Sequence, residues 1–149
     1  KRTATAVASI SLPPVISDAF RASGIDQGGP ATAKGAVFDV ARLAGIMGVK
    51  QTSTLIPLCH PLSINHASVD LCFPSAFGAI DYSTIKVTCS GSCSGKTGVE
   101  MEALTGASVA ALTVYDMVKG ISHECTIGGV KVVGKDGGKR LVRDGKNIN

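Results

Sequence analysis

Asp116 and Lys119 stand three residues apart near the end of a long helical pattern, so they share a face. The pairing has two readings. One is an exposed ion pair that contributes little to stability. The other is an acid/base carboxylate beside a phosphate-binding ammonium. Glu100 and Glu102 open the same helix. Acidic groups in a first turn favour the helix dipole. Residues two apart on a helix point away from each other, however, so one of this pair caps while the other faces a pocket. His60 sits in Leu58-Cys59-His60-Pro61, between proline-punctuated apolar runs where the backbone is stiff. Imidazole is suited to moving protons near neutrality; the plainer reading is a satisfied, partly buried histidine. Lys34, Lys50, Lys119 and Lys139 lie singly near glycines or helix ends. Apart, they are solvated cations. Brought together, they would neutralise a triphosphate.

Two other constellations carry less. Cys59, His60, His66, Cys89, Cys93, His123 and Cys125 are possible metal ligands, but none falls at the short zinc spacings, so no metal is expected. Ser90 to Thr97 ends in Gly-Lys-Thr before a helix, as a phosphate-binding loop does. That pattern requires glycine five positions before Gly95, where this chain has Ser90. Nucleotide hydrolysis by such a loop is therefore not expected. Lys96, exposed amides and a helix start still favour an anion nearby.

The elements that must hold these groups form one domain of 149 residues. Hydrophobic residues make up 44% and aromatic ones only 4%, with no Trp, so the core is aliphatic. Such a composition excludes disorder over most of the length. Fifteen basic and 11 acidic residues leave a net +4, a mild excess that fits an anionic small molecule. A nucleic-acid binder would show a dense basic stripe or stacking aromatics, so no nucleic-acid partner is expected. Five cysteines, an odd number, imply no complete disulfide framework and point to a reducing compartment. No run of 18 apolar residues is present to span a membrane, and no signal peptide is visible. The chain opens on Lys1 rather than Met, from which a lost upstream segment is expected. The cytoplasm is the default location, or the mitochondrial matrix if a targeting segment was removed.

Thr3 to Leu12 alternates with period two and predicts a strand. Pro13-Pro14 stops it, and Val15 to Ala22 follows as a short helix. Ser23 to Ala33 reads as a loop. Gly35 to Lys50 predicts a helix with Val37, Val40, Ala41, Ala44 and Met47 on its apolar face. Gly45 and Gly48 cost that helix about 1 kcal/mol each unless a neighbour packs very close. Thr52 to Pro61 is an apolar, proline-bounded segment. Ile64 to Phe73 and Thr84 to Cys89 predict an antiparallel hairpin, turning at Pro74 to Gly78. Ser90 to Gly98 reads as a loop. Val99 to Lys119 predicts the clearest helix, with Leu104, Ser108, Ala111, Tyr115 and Val118 on one face and Gly120 beyond its end. Thr126 to Val133 is the last predicted strand. The order β-α-α-β-β-α-β favours an α+β fold: a ferredoxin-like antiparallel sheet with helices on one face. Residues 1–134 form the expected catalytic domain. Residues 135–149 are the expected flexible basic tail, contributing Lys139.

Several strings carry a resemblance. They are Lys34-Gly35, ARLAGIMGVK (Ala41 to Lys50), LIPLCHPL (Leu55 to Leu62), GKTGVEMEALT (Gly95 to Thr105), SVAALTVYDMVK (Ser108 to Lys119) and KDGGK (Lys135 to Lys139). In this order they resemble the MoaC family. The resemblance implies a lyase of molybdenum-cofactor biosynthesis. Such an enzyme converts (8S)-3',8-cyclo-7,8-dihydroguanosine 5'-triphosphate to cyclic pyranopterin monophosphate with release of diphosphate, and needs no metal or organic cofactor. It also implies a homohexamer, a trimer of dimers with the active site at the dimer interface, and a partner radical enzyme that makes the substrate. Asp116, Lys119, Lys34 and His60 correspond to catalytic positions. Leu58, Cys59, His60, Met101 and Glu102 correspond to substrate-binding positions, with Glu100, Lys50 and Lys139 supporting. Two departures stand out: Ala36 where the family reads Lys-Gly-Asp, and a longer loop from Gly24 to Ala33. They motivate a second reading, a non-catalytic nucleotide- or pterin-binding relative. A basic nucleic-acid-binding domain is a third.

Overall fold

The computed structural model describes residues 1–24 and 29–148. Strand β1 (Arg2–Ser11) alternates as its sequence demands: Ala4, Ala6, Ala8 and Ile10 are buried while the threonines and serines between them face the other side. Pro14 opens α1 (Pro14–Ser23), where a missing amide costs nothing. A two-residue hairpin, β2 (Ala31–Thr32) and β3 (Gly35–Ala36), leads into α2 (Val37–Leu55). Then come β4 (Ile64–Cys72), the small hairpin β5 (Ser75–Ala76) and β6 (Ala79–Ile80), and β7 (Thr84–Cys93). Helix α3 (Glu100–Val118), β8 (Thr126–Asp136), β9 (Leu141–Arg143) and β10 (Lys146–Ile148) complete the chain.

The large sheet has the order β10-β9-β8-β1-β7-β4, with every neighbouring pair antiparallel. Its four long strands have the arrangement of a ferredoxin-like α+β fold. Helices α2 and α3 pack on each other and lie across the sheet. The predicted close neighbour for the α2 glycines is α3. A methyl on Gly45 would meet the Gly106 carbonyl at 2.9 Å and Ala110 at 3.1 Å, and one on Gly48 would meet Val109. Gly106 is tighter still, with Cys89 Sγ 2.5 Å and Val49 Cγ2 2.6 Å from where its Cβ would stand. Backbone therefore meets backbone at this crossing. Adding a methyl would forfeit more in overpacking than it gained in helix propensity.

That approach also corrects the predicted helix faces. The buried side of α2 is Val37, Phe38, Ala41, Gly45, Gly48, Val49 and Thr52, whereas Val40 and Met47 are exposed. On α3 the buried stripe is Ala103, Gly106, Ala107, Ala110, Ala111, Val114, Met117 and Val118, with Leu104, Ser108 and Tyr115 only partly covered. Small residues mark the α2–α3 crossing itself, with larger ones on the same faces away from it.

Three boundaries also differ. Helix α2 continues past Lys50 to Leu55 because the Thr52 hydroxyl donates to the Gly48 and Val49 carbonyls, each at 3.1 Å, and is satisfied in the buried turn. It stops before Ile56-Pro57, where proline disfavours helical backbone. Strand β7 absorbs Ser90 to Cys93, which pair with Thr5 to Arg2 of β1. Strand β8 runs to Asp136, and β9 pairs with it at Gly134 and Lys135. Residues 141–148 thus form a hairpin where composition suggested a mobile tail. Asp144 and Gly145 turn it with φ of 49° and 75°, the two-residue turn that suits right-twisted strands. Among the described residues, no helix is long and apolar enough to cross a membrane.

Candidate active site

The β2–β3 hairpin ends beside the C-terminal turn of α3, and this places Lys34 over Asp116. Lys34 Nζ donates to Asp116 Oδ2 at 2.7 Å and to the Asp116 carbonyl at 3.0 Å. Lys119 Nζ lies 2.9 Å from Asp116 Oδ1. Both carboxylate oxygens are thus held by ammonium groups. Hydrogen bonds from Lys34 and then Lys119 depress the Asp116 pKa to about 2, and the carboxylate in turn raises that of Lys119. The three side chains border a cavity of about 430 Å3 with Thr32, Ala33, Met117, Gly120, Ile121 and His123. Ala36 is the N-cap of α2 and makes no side-chain cap, so the departure noted at this position falls at a helix start. Lys34 is oriented by Asp116 without an acidic residue there.

A second group forms at the other end of α3. Where α2 stops, Leu58, Cys59, His60 and Leu62 turn toward Thr97, Gly98, Met101 and Glu102 around a cavity of about 280 Å3. Leu58 and His60 are exposed there. Lys50 borders a neighbouring hollow with Leu62, Asn65 and His66. A cleft of about 50 Å3 joins Lys50 to Glu102. Glu102 is only 4% exposed, and burial pushes its carboxyl pKa upward. Glu100, two residues earlier, faces another way. Its carboxylate lies against Gly98 and pairs with Lys135.

The sequence profile of the MoaC family matches residues 1–138. The chain belongs to the MoaC family. Among its relatives is the cyclic pyranopterin monophosphate synthase of Pelobacter propionicus, 48% identical over 138 residues that cover 93% of this chain and 79% of the relative. The enzyme of that name from Xanthomonas campestris pv. campestris is 44% identical over 139 residues, covering 93% and 78%. That from Jannaschia sp. is 57% identical over 106 residues, covering 71% and 62%.

In this MoaC chain the motif residues divide between two places. Lys34, Asp116 and Lys119 stand together; Leu58, Cys59, His60, Met101, Glu102 and Lys50 stand together elsewhere. Glu102 and Asp116 are 14 residues apart on one helix, which at 1.5 Å per residue is about 21 Å. Lys139 is exposed and is not among the residues lining these cavities. Part of the loop from Gly24 to Ala33 lies outside the described residues.

Three residues to which the sequence assigns no role at these sites also stand close to them. Lys135 pairs with Glu100 at the start of α3. Arg2 donates from Nε to Gly95 O at 3.3 Å and from Nη2 to Lys96 O at 3.0 Å, fixing the loop that carries Thr97 and Gly98. His123 borders the Lys34–Asp116–Lys119 cavity. Nothing in the local pattern marks Arg2. Cys89 is buried, its thiol pushed up to about 12, and is chemically inert packing. Among the described residues, no group of three or more His, Cys, Asp or Glu side chains is placed to hold a metal ion.

Glu102→Gln is expected to separate stability from activity. A carboxyl whose folded pKa is raised contributes stability below its unfolded value, ordinarily 4.5 here, and loses it as pH rises through the folded value. At neutral pH burying this ionisable carboxyl is therefore a cost, and the amide removes it. The variant should melt at or above the wild-type temperature at pH 7, the difference vanishing below about pH 4, while turnover falls. A markedly lower melting temperature at pH 7 would show that Glu102 holds the fold rather than a ligand.

Proposed function

We propose that this chain forms cyclic pyranopterin monophosphate, the product its relatives are named for, from cyclised dihydro-GTP with release of diphosphate. The observation that carries the reading is the Lys34–Asp116–Lys119 cluster lining a cavity of about 430 Å3. Expelling diphosphate builds negative charge on departing oxygens, and two fixed ammonium groups stabilise it. In the free protein those ammoniums are occupied by Asp116. A triphosphate competes for them. As they turn to phosphate, the carboxylate loses the partners that depress its pKa and becomes a stronger base. Substrate binding thereby readies Asp116 for the proton transfers that ring opening and pterin closure require. At the other group, Glu102 suits the guanidine-like edge of the base, and His60 is a second proton carrier.

One copy holds these groups too far apart for one small substrate. We take the active site to be composite, with Lys34, Asp116 and Lys119 from one copy and the His60–Glu102 group from its twofold partner. The hexamer, a trimer of dimers, extends this arrangement, and a radical enzyme supplies the substrate. Leu43 and Met47, 62% and 57% exposed on the outer face of α2, support burial against another copy.

The reading is tested by supplying cyclised dihydro-GTP and measuring diphosphate together with the pterin. Both products should appear in equal amounts. Binding of the intermediate without either product would assign the chain to ligand binding instead.

A further inference from the structure

We propose that His123 is a third phosphate-contacting group of the Lys34–Asp116–Lys119 cavity, and that its protonation makes the grip on phosphate depend on pH. This rests on the reading above that the cavity takes the phosphate end of the substrate. The geometry is the starting point. His123 borders the same cavity as the two lysines, on the segment that follows α3. That segment is held in place. The Tyr115 hydroxyl donates to the His123 carbonyl at 3.2 Å, the Ile121 and Ser122 amides donate to the Val118 carbonyl, and the Glu124 amide donates to Ser122 Oγ at 3.1 Å. The His123 backbone is therefore held at the cavity's edge, and its side chain is exposed there.

Charge gives the reason. Two ammoniums and one carboxylate leave the cavity with one net positive charge, against a polyphosphate that carries several negative ones. The groups around His123 are Lys34 from the β2–β3 turn, Asp116, Lys119 and Tyr115 from α3, and Glu124 next along the chain. Asp116 is ionised, with a pKa of about 2, and the Lys119 ammonium is held in its charged form, so this pair keeps its charges across the neutral range. Imidazole is the side-chain type whose charge changes between about pH 5 and pH 8. Protonated, it adds a second net positive charge and an N–H donor to phosphate oxygen. Neutral, it adds neither charge nor a charge-assisted bond.

The experiment is titration of the whole protein with inorganic diphosphate, measuring Kd from about pH 5 to pH 8. The proteins are wild type, His123→Asn, His123→Lys and Lys119→Ala. Diphosphate's own titration is common to all four and cancels in ratios. The ratio of His123→Asn to wild-type Kd should be about tenfold at the low end, where a charged hydrogen bond is lost, and close to one at the high end. His123→Lys should match wild type at low pH and bind more tightly than it at high pH. A ratio near one throughout, or one that does not change with pH, would overturn the proposal. So would His123→Lys behaving as His123→Asn does. If Lys119→Ala weakens binding and His123→Asn does not, only the role of His123 falls. If neither weakens it, or wild type takes no diphosphate, the phosphate reading of the cavity falls too.

Discussion

Lys119→Ala is expected to lower turnover at least a hundredfold, on the order of what loss of one charge-stabilising donor costs, and to leave the folded protein intact. Lys119 closes the last turn of α3 with its ammonium about half exposed, so few packing contacts go with it. Exposed ion pairs add little to stability. The sign of the small contribution follows from Asp116. A carboxyl depressed from 3.8 to about 2 supplies its stability above the unfolded value and loses it as pH falls between the two. At neutral pH that contribution is present in full but small, so the variant should melt at or slightly below the wild-type temperature. Its chemistry should not survive, because the same ammonium holds Asp116 in the free protein and takes phosphate in the complex. The pH profiles add a second signature. In wild type the acid limb of kcat/KM, which reports the free enzyme, should lie well below that of kcat, which reports the complex after the lysines have turned to phosphate. Full activity in Lys119→Ala would remove Lys119 from the mechanism. Coincident acid limbs would remove the competition between Asp116 and substrate.

How far the residues announced this arrangement depends on whether local or distant partners decide each element. β1 was legible because strict alternation has one solution against a single core. The α3 boundaries were legible from Glu100 and Glu102 at one end and Gly120 at the other. Gly45 and Gly48 were understood as requiring a close neighbour, but that the neighbour was Gly106 is a fact of packing between helices far apart in sequence. The same crossing decides which helix faces are buried. Val40 and Met47 follow helical spacing as well as Val37 and Ala41 do, and only the need for small residues at a tight crossing picks out the buried side. Ser90 to Cys93 look like a loop and pair as strand because β1 and β4 flank them on both sides. At the site, Asp116 and Lys119 could be paired from spacing. Lys34 joins them from 82 residues away, and Lys135 reaches Glu100 only because β8 runs past the start of α3. Both are consequences of topology.

Mixing two inactive variants should restore activity if the site is composite. Lys119→Ala breaks the group at one end of α3 and Glu102→Gln the group at the other, about 21 Å away. In a twofold dimer each active site draws one group from each copy. Either variant alone then has every site broken. A heterodimer of the two has one site with both defects and one with none. Random reassortment makes half the dimers mixed, so about a quarter of wild-type turnover should return. Reassortment needs mild denaturation or co-expression, and a wild-type sample carried through the same treatment sets the scale. The exposed apolar residues Leu43 and Met47 on α2 and Leu112 on α3 favour such pairing, since a monomer would leave them in water. No recovery would mean that both groups act within one copy. The two ends of α3 would then have to meet across a helix packed backbone-to-backbone on α2 at Gly45 and Gly106, a contact that leaves no room for the bend.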